Sequence, residues 1–410
     1  MKDGTRRPRL LVLTSTYPRW RDDPEPGFVH ELAKRLATDF DVTVLAPHAR
    51  GAKVEEEMDG VAVRRYRYAP ASWETLVNDG GMVANLRANP LKWLLVPGFL
   101  LSQAWVARRL VRQKSVDVLH VHWLVPQGLV MLLLRFSGCR TPYLVTSHGA
   151  DLYSLRGPFL NALKRRIAKG SAAMTVVSSA MGAEVERLHM QPPRLDVLPM
   201  GVDLQGRFVP DATQHRRADR LLFVGRLVPK KGLTHLLDAL PQVLARHPSV
   251  TLVIAGFGPE EQALRAQVQR LDLGSRVEFL GARPQSELPA LYRSASLFVA
   301  PFVRDASGDQ EGLPVALMEA IACGCPVVAG DVAGLQDLLG SASRDICVDP
   351  RDSAALAAAI LAALDNPDAA RARALKLRQA VAERVDWSVI AAGYARLLKG
   401  CVHTPGKAGS

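Results

Sequence analysis

Two acids eight positions apart, Glu311 and Glu319, frame the segment Glu311-Gly312-Leu313-Pro314 and the apolar run that follows it. If that stretch is helical throughout, the two carboxylates stand roughly 12 Å apart. The paired carboxylates of a retaining glycosidase stand about 5 Å apart, so that chemistry is excluded. The spacing suits two grips on one elongated polyol. Either acid alone also has a plainer reading, Glu311 as a first-turn acid and Glu319 as a surface acid of a helix Val315–Cys323 stopped by Gly324. Pro314 suits a first helical turn. The amides of Gly312 and Leu313, at the positive end of that helix, can stabilise an anion.

A second constellation lies upstream, in Gly225-Arg226-Leu227-Val228-Pro229-Lys230-Lys231-Gly232. A strand-end glycine followed by an arginine, two lysines and a helix start suits a phosphate, with Arg226 as a fork and Lys231 as a point charge. A solvated basic turn is the competing reading. Gly256-Phe257-Gly258 closes the apolar run Leu252–Ala255 and resembles a dinucleotide loop without its third glycine, a weak signal taken singly. In the first half, Ser147-His148-Gly149-Ala150-Asp151 follows another apolar run, and His148 alone would more often be structural. Asp39-Phe40-Asp41 is read as a turn between helix and strand, so no metal site is expected.

These residues need strand ends to hold them. Short β-branched runs alternate with amphipathic stretches along nearly the whole chain, the pattern of parallel sheets covered by helices. Strands are expected near Arg9–Thr14, Val42–Leu45, Val61–Tyr66, Val116–His122, Tyr143–Thr146, Met174–Ser178 and Leu195–Leu198. A second series follows near Leu221–Val224, Thr251–Ala255, Val277–Leu280, Leu297–Ala300 and Val327–Ala329. Helices are expected at Phe28–Ala37, whose apolar positions form one stripe, and at Leu233–Leu240. The polar stretch Asp203–Arg220 is expected to separate the halves, and the loop Phe302–Gln310 to be mobile. Two doubly wound halves imply a cleft between them, with ligands beyond the carboxyl ends of the strands.

Of the 410 residues, 48% are hydrophobic, enough for large cores, and the net charge is +12. That charge admits anionic membrane, phosphorylated small molecules or nucleic acid as partners. Nucleic acid is set aside, because neither zinc-finger spacing nor an aromatic-basic RNA-binding strand is found. The five cysteines are irregularly spaced and suggest free thiols in a reducing compartment. No signal peptide is expected, since Leu10–Leu13 is too short an apolar core. Leu91–Ala107, interrupted by Lys92, Pro97, Ser102 and Gln103, is expected to fall short of a membrane span. The longer segment Trp73–Lys114 reads equally as an interfacial membrane element or as core helices with a basic face. Loose ends are expected at 1–8 and 402–410.

Glu311-x₇-Glu319, with Gly225-Arg226 and Lys231-Gly232 upstream, resembles the donor site of retaining glycosyltransferases of the GT-B fold, family 4. The resemblance covers most of the chain. It implies an α/β fold of two Rossmann-like doubly wound parallel-sheet domains facing across a cleft. Residues 1–203 would form the acceptor side and 204–387 the nucleotide-sugar side. A closing helix at 388–400 would pack back on the first domain, with a loose tail at 401–410. By position, Glu311 would contact hydroxyls of the donor sugar, Glu319 the ribose, and Arg226 with Lys231 the diphosphate. Gly281 and Arg283 would lie beside the base, and His148 near the transferred sugar. The reacting centre would thus be His148, Glu311, Arg226 and Lys231. Gly225, Gly256, Gly312, Leu313 and Pro314 would complete the donor contacts. Gly27 would join them, although it stands alone where the family commonly has two adjacent glycines.

The resemblance further implies retention of anomeric configuration, a UDP- or GDP-sugar as substrate, and neither metal nor cofactor. The acceptor would be a saccharide or a lipid-linked saccharide in glycan or cell-envelope assembly, at the cytoplasmic face of a membrane. A soluble small-molecule acceptor, or an epimerase of the same fold, stays open.

Overall fold

The computed structural model describes residues 6–402 except 24, 26, 79, 80 and 212. The chain divides into two compact units, Met1–Pro199 with Ile390–Ser410, and Met200–Val389.

The first unit is built on an eight-stranded sheet in the order β3-β4-β2-β1-β5-β6-β7-β8. Its strands are β1 (Arg9–Leu13), β2 (Asp41–Pro47), β3 (Glu55–Met58), β4 (Val61–Tyr66), β5 (Val118–His122), β6 (Tyr143–Ser147), β7 (Ala173–Val176) and β8 (Leu195–Val197). Seven run parallel, and β3 alone is antiparallel, paired to β4. Because helices cover both faces of a parallel sheet, its central strands are apolar throughout rather than alternating. Leu10–Leu13, Val118–Val121 and Tyr143–Val145 follow that rule and are buried, the polar His120 among them. The helix Phe28–Leu36 ends one residue earlier than expected and buries Val29, Leu32, Ala33 and Leu36.

The β3–β4 hairpin adds a strand to those expected from the sequence. Asp59 and Gly60 both have positive φ, 51° and 79°. That is the two-residue turn whose twist matches a hairpin. The acidic run Glu55-Glu56-Glu57 hides the strand because one face of an edge strand needs no apolar residue.

The second unit carries a six-stranded, wholly parallel sheet in the order β11-β10-β9-β12-β13-β14. These are β9 (Arg217–Val224), β10 (Thr251–Ala255), β11 (Val277–Gly281), β12 (Ala295–Ala300), β13 (Val327–Gly330) and β14 (Cys347–Val348). Strand order reverses between β9 and β12, the switch point beyond which ligands of such sheets bind. In the first unit it reverses between β1 and β5.

Several boundaries differ from expectation. The division falls at Pro199, and Arg217–Arg220 belongs to β9 rather than to a linker. Arg216, just before that strand, donates to the carbonyls of Tyr292, Ala295, Cys323 and Gly324. The helix after Gly232 runs through Pro241 to Arg246, because Leu236, Leu237, Leu240 and Val243 continue one buried stripe. The final helix, Trp387–Val402, keeps Cys401 buried, so 401 and 402 are no loose tail. Residues 403–410 and 1–5 lie outside the described residues. Pro90–Lys114 is long and apolar enough to cross a membrane by length and composition, against the expectation that it falls short. Its Phe99, Gln103, Ala107 and Leu110 are nonetheless buried. Gln103 donates to the carbonyls of Thr14 and Leu45 at the ends of β1 and β2, tying the helix into the folded unit.

Candidate active site

In the second unit the loops leaving β9, β10, β12 and β13 pack backbone against backbone. A Cβ on Gly256 would lie 1.8 Å from the Gly225 carbonyl oxygen, one on Gly232 1.8 Å from that of Pro301, and one on Gly330 1.9 Å from that of Phe302. The Gly225 amide donates to Ala255, and the Gly256 amide to Gly281. Gly225, Gly256 and Gly281 therefore line the strand ends as one ridge without side chains, open to close approach by a ligand.

At the β9/β12 switch point this ridge meets an ionic cluster. Lys231 Nζ stands 3.3 Å from Glu311 Oε2, and Lys230 Nζ 3.4 Å from Glu311 Oε1 and 3.3 Å from Asp309. Lys231 also lies over the Phe302 ring, 4.9 Å from its centre. Burial pushes Glu311 up, but the two lysines outweigh it and hold the carboxyl down at about 2. Burial pushes Lys231 down, Glu311 opposes this, and Lys230 and Arg226 add to the depression. Arg226 is thus within electrostatic reach of Lys231. Lys230, which the sequence placed only within the basic motif, is a full member of the cluster.

The loop Phe302–Gln310 is not loose. Asp305 Oδ1 accepts from the amides of Ser307 and Asp309 and from the Ser307 hydroxyl. The Val303 amide donates to Lys230. The β12 loop is so tied to the β9 loop.

Residues 311–314 are not helical; the helix is Val315–Ala322, with Pro314 at its N-cap rather than in its first turn. The helical estimate of the Glu311–Glu319 separation therefore does not apply. The amides of Gly312 and Leu313 have no acceptor among the described residues. Gly324, with φ of 63°, ends the helix one residue after its cap; Arg378 donates to the carbonyl of Ala322, the last helical residue, and Arg216 to those of Cys323 and Gly324 beyond it. Glu319 is 4% exposed. Its Oε2 accepts from the Tyr292 hydroxyl at 2.9 Å. Burial raises its pKa to about 7, against the pull of Tyr292, Arg207 and Lys231. Nothing local marks Tyr292 in the sequence, where it reads as one apolar position of the helix Leu288–Ser294.

Arg283, in the loop after β11, pairs with Glu287 at 3.4 Å. Gly281 has φ of 69°, a conformation that favours glycine.

In the first unit, Asp151 builds the turn that carries His148. Its Oδ1 accepts from the Ser147 hydroxyl and the amides of His148 and Gly149, and its Oδ2 from the amide of Leu124. His148 Nε2 is 2.9 Å from His122 Nδ1, and the rings stack 12° from parallel. Trp123 and Phe28 enclose it, with ring centres 4.8 and 5.1 Å away. Burial holds both histidines well below their ordinary range, so this is a neutral pair in which one ring donates and the other accepts. His122 was not singled out by sequence, since it reads as the end of a buried strand. Gly27 caps the helix that bears Phe28 with φ of −89°, and a side chain there would meet nothing closer than 4.0 Å. Its backbone therefore does not demand glycine.

Among the described residues no group of three or more His, Cys, Asp or Glu is placed to hold a metal. Asp39 instead pairs with Lys399 at 2.6 Å.

The buried charge on Glu319 has a measurable cost. Its folded pKa lies above the unfolded value, so it stabilises the fold fully below pH 4.5, and that stability is lost as pH rises to about 7. The loss is on the order of 3 kcal/mol. Glu319→Gln, which cannot ionise, is expected to gain about that much over the native protein at pH 8 relative to pH 4.5. Urea unfolding of both proteins at the two pH values measures it, and equal differences at both would remove the buried-charge account.

Comparison with known proteins identifies the family of the chain. Residues 28–205 match the model of Glycosyltransferase Family 4, and residues 211–384 that of Glycosyl transferases group 1. The chain is 28% identical over 404 residues to a GDP-mannose-dependent alpha-(1-6)-phosphatidylinositol monomannoside mannosyltransferase of Mycobacterium tuberculosis, covering 96% of this chain and 98% of that one. It is 32% identical over 333 residues to a phosphatidyl-myo-inositol mannosyltransferase of the same organism, covering 77% and 79%. Among solved structures, the sucrose-phosphate synthase of Thermosynechococcus elongatus superposes with a TM-score of 0.78 at 22% identity, over 96% of this chain and 99% of that one. With both halves matched in order and a relative above 30% identity over most of its length, this chain belongs to the family 4 glycosyltransferases.

Proposed function

We propose that this glycosyltransferase moves a hexose from a GDP-sugar, with UDP-sugar the alternative, to a lipid-linked or free saccharide with retention of configuration. The observation that carries this is the Lys231–Glu311 pair at the β9/β12 switch point. In this reading Arg226 and Lys231 take the diphosphate, Glu311 turns to the hydroxyls of the sugar, and Glu319 holds the ribose. The glycine ridge lets the nucleotide approach the strand ends, with Arg283 beside the base. The GDP preference rests on the relative whose name specifies GDP-mannose, and the lipid acceptor on the phosphatidylinositol named for both relatives.

For the chemical step we favour front-face displacement. The acceptor oxygen attacks the anomeric carbon from the side the diphosphate leaves, and the departing phosphate oxygen takes its proton. Preorganised cations can stabilise that leaving group without a divalent ion. His148, neutral and a hydrogen-bonding partner rather than a charge, would orient the sugar. The five cysteines form no disulfide, which supports a cytoplasmic site at the inner face of the membrane.

One experiment tests the reading: ligand-observed NMR with GDP-, UDP- and ADP-sugars, on the native protein and Glu319→Ala, followed by product analysis with EDTA present. One nucleotide family is expected to bind, with affinity at least tenfold lower in the variant, and the product from an α-donor is expected to be α-linked. Binding by none sinks the donor site. A β-linked product sinks retention, activity abolished by EDTA sinks metal independence, and isomerised donor without transfer would make the protein an epimerase.

A further inference from the structure

Three helices of the first unit pack side by side: Leu95–Lys114 against Gln127–Phe136, and that helix against Pro158–Gly170. Together with the helical turns Met82–Ala88 and Pro90–Leu94 they carry eleven lysines and arginines and not one aspartate or glutamate. In a protein with 52 basic and 40 acidic residues, a layer this long without an acid is a strong segregation of charge.

The same layer exposes large apolar side chains. On helix Leu95–Lys114 the buried face is Phe99, Gln103, Ala107 and Leu110. The opposite face begins with Leu101 and Trp105, about 60% exposed, and continues into Arg109 and Arg112. Those positions, four, four and three residues apart, form one stripe. Leu91, Trp93 and Leu94 extend it toward the helix start, each more than half exposed. Phe136 and Phe159, 80% and 73% exposed, end or begin the two neighbouring helices. Phe159 borders a groove of about 510 Å³ lined also by Leu163, Arg165, Arg166 and Lys169, with no acid in its wall. Arg108, Arg112, Arg165 and Lys169 take part in no ion pair among the described residues, and Arg166 only lies over the Phe136 ring.

Exposed tryptophans beside unpaired cations, on a layer whose other side is anchored to its own sheet, match a bilayer interface. The aromatic rings suit the headgroup level and the cations suit anionic phosphates. We propose that this helical layer is a docking face for an anionic phospholipid bilayer, and that the groove beside Phe159 seats a lipid phosphate. Helix Leu95–Lys114 then lies along the surface and does not cross it, because Gln103 and its neighbours stay bonded within the unit. The proposal deepens the reading of an enzyme at a membrane face, on which it rests for its purpose alone.

The test uses the full chain without any nucleotide sugar, so that its result is independent of the donor site. Co-sedimentation is measured with vesicles of phosphatidylcholine alone and with one-third phosphatidylglycerol. Binding is expected only to the anionic vesicles. Each cation near such a surface is worth roughly fivefold in partitioning, so R108Q/R109Q/R112Q should bind roughly 100-fold more weakly. W93S/L94S/W105S should lose binding even at low salt, while R217Q/R246Q/R270Q, in the second unit, should bind as the native protein does. Equal binding to both vesicles, layer variants that partition normally, or a control that loses as much would each overturn the proposal. So would a native dimer that W93S/L94S/W105S converts to monomer without any vesicle binding, which would make the face an interface between copies.

Discussion

Lys231→Ala is expected to leave the protein folded and to lower kcat/KM by roughly 10²–10³-fold, the loss typical of removing one preorganised group from a developing oxyanion. Lys231 is held on three sides, by Glu311 at 3.3 Å, by the Phe302 ring at 4.9 Å and by burial. Such a cation is fixed before the substrate arrives and needs no reorganisation as charge builds on the leaving diphosphate. Folding should survive, because Lys230 remains 3.4 Å from Glu311 and keeps that carboxylate paired. For the same reason Lys230→Ala should have the smaller effect. Steady-state kinetics separates the possibilities. An equal fall in kcat and kcat/KM means that Lys231 acts on the transition state. A raised KM with unchanged kcat would reduce it to a donor clamp and withdraw it from the reacting centre.

The difference between what could be read from the residues and what could not follows from how local each signal is. The parallel sheets were legible because buried strands such as Leu10–Leu13 and Leu221–Val224 are apolar without interruption, and that depends only on neighbours in the chain. The hairpin strand Glu55–Met58 was not, since an exposed edge leaves its composition free. Its turn Asp59-Gly60 was the one available sign. At the site, Glu311, Lys231 and Glu319 stood out because charged residues at strand ends and on an apolar helix are conspicuous. Their partners did not. Tyr292 meets Glu319 across 27 positions, and His122 meets His148 across 26, each from inside an element whose apolar pattern gives it another explanation. Pairings of that kind are fixed by sheet order, which no local window contains. The order of the Phe302–Gln310 loop was hidden similarly: a run of Asp, Ser and Gly reads as mobile until Asp305 is seen to collect its hydrogen bonds.

The reason for glycine at position 232 is also non-local, and it carries the largest expected effect on stability. Gly232 has φ of 67°, and a Cβ there would fall 1.8 Å from the carbonyl oxygen and 2.9 Å from the carbonyl carbon of Pro301. The left-handed backbone alone costs an alanine about 1–2 kcal/mol. The contact adds more, because the obstacle is backbone on the neighbouring strand loop and cannot rotate away. Gly232→Ala should therefore cost at least about 4 kcal/mol, in the range reserved for substitutions with a specific steric cause. Relief requires the β9 and β12 loops to part, which would stretch the Val303–Lys230 hydrogen bond and carry both lysines away from Glu311. Stability and donor binding should consequently fall together. Gly274→Ala, in the same unit with open space around its Cβ, should change neither. Urea unfolding and nucleotide titration of the two variants decide the matter. A Gly232→Ala protein within about 1 kcal/mol of the native one would mean that the loops can separate at little cost. The rigid cation placement on which the Lys231 argument depends would then be lost.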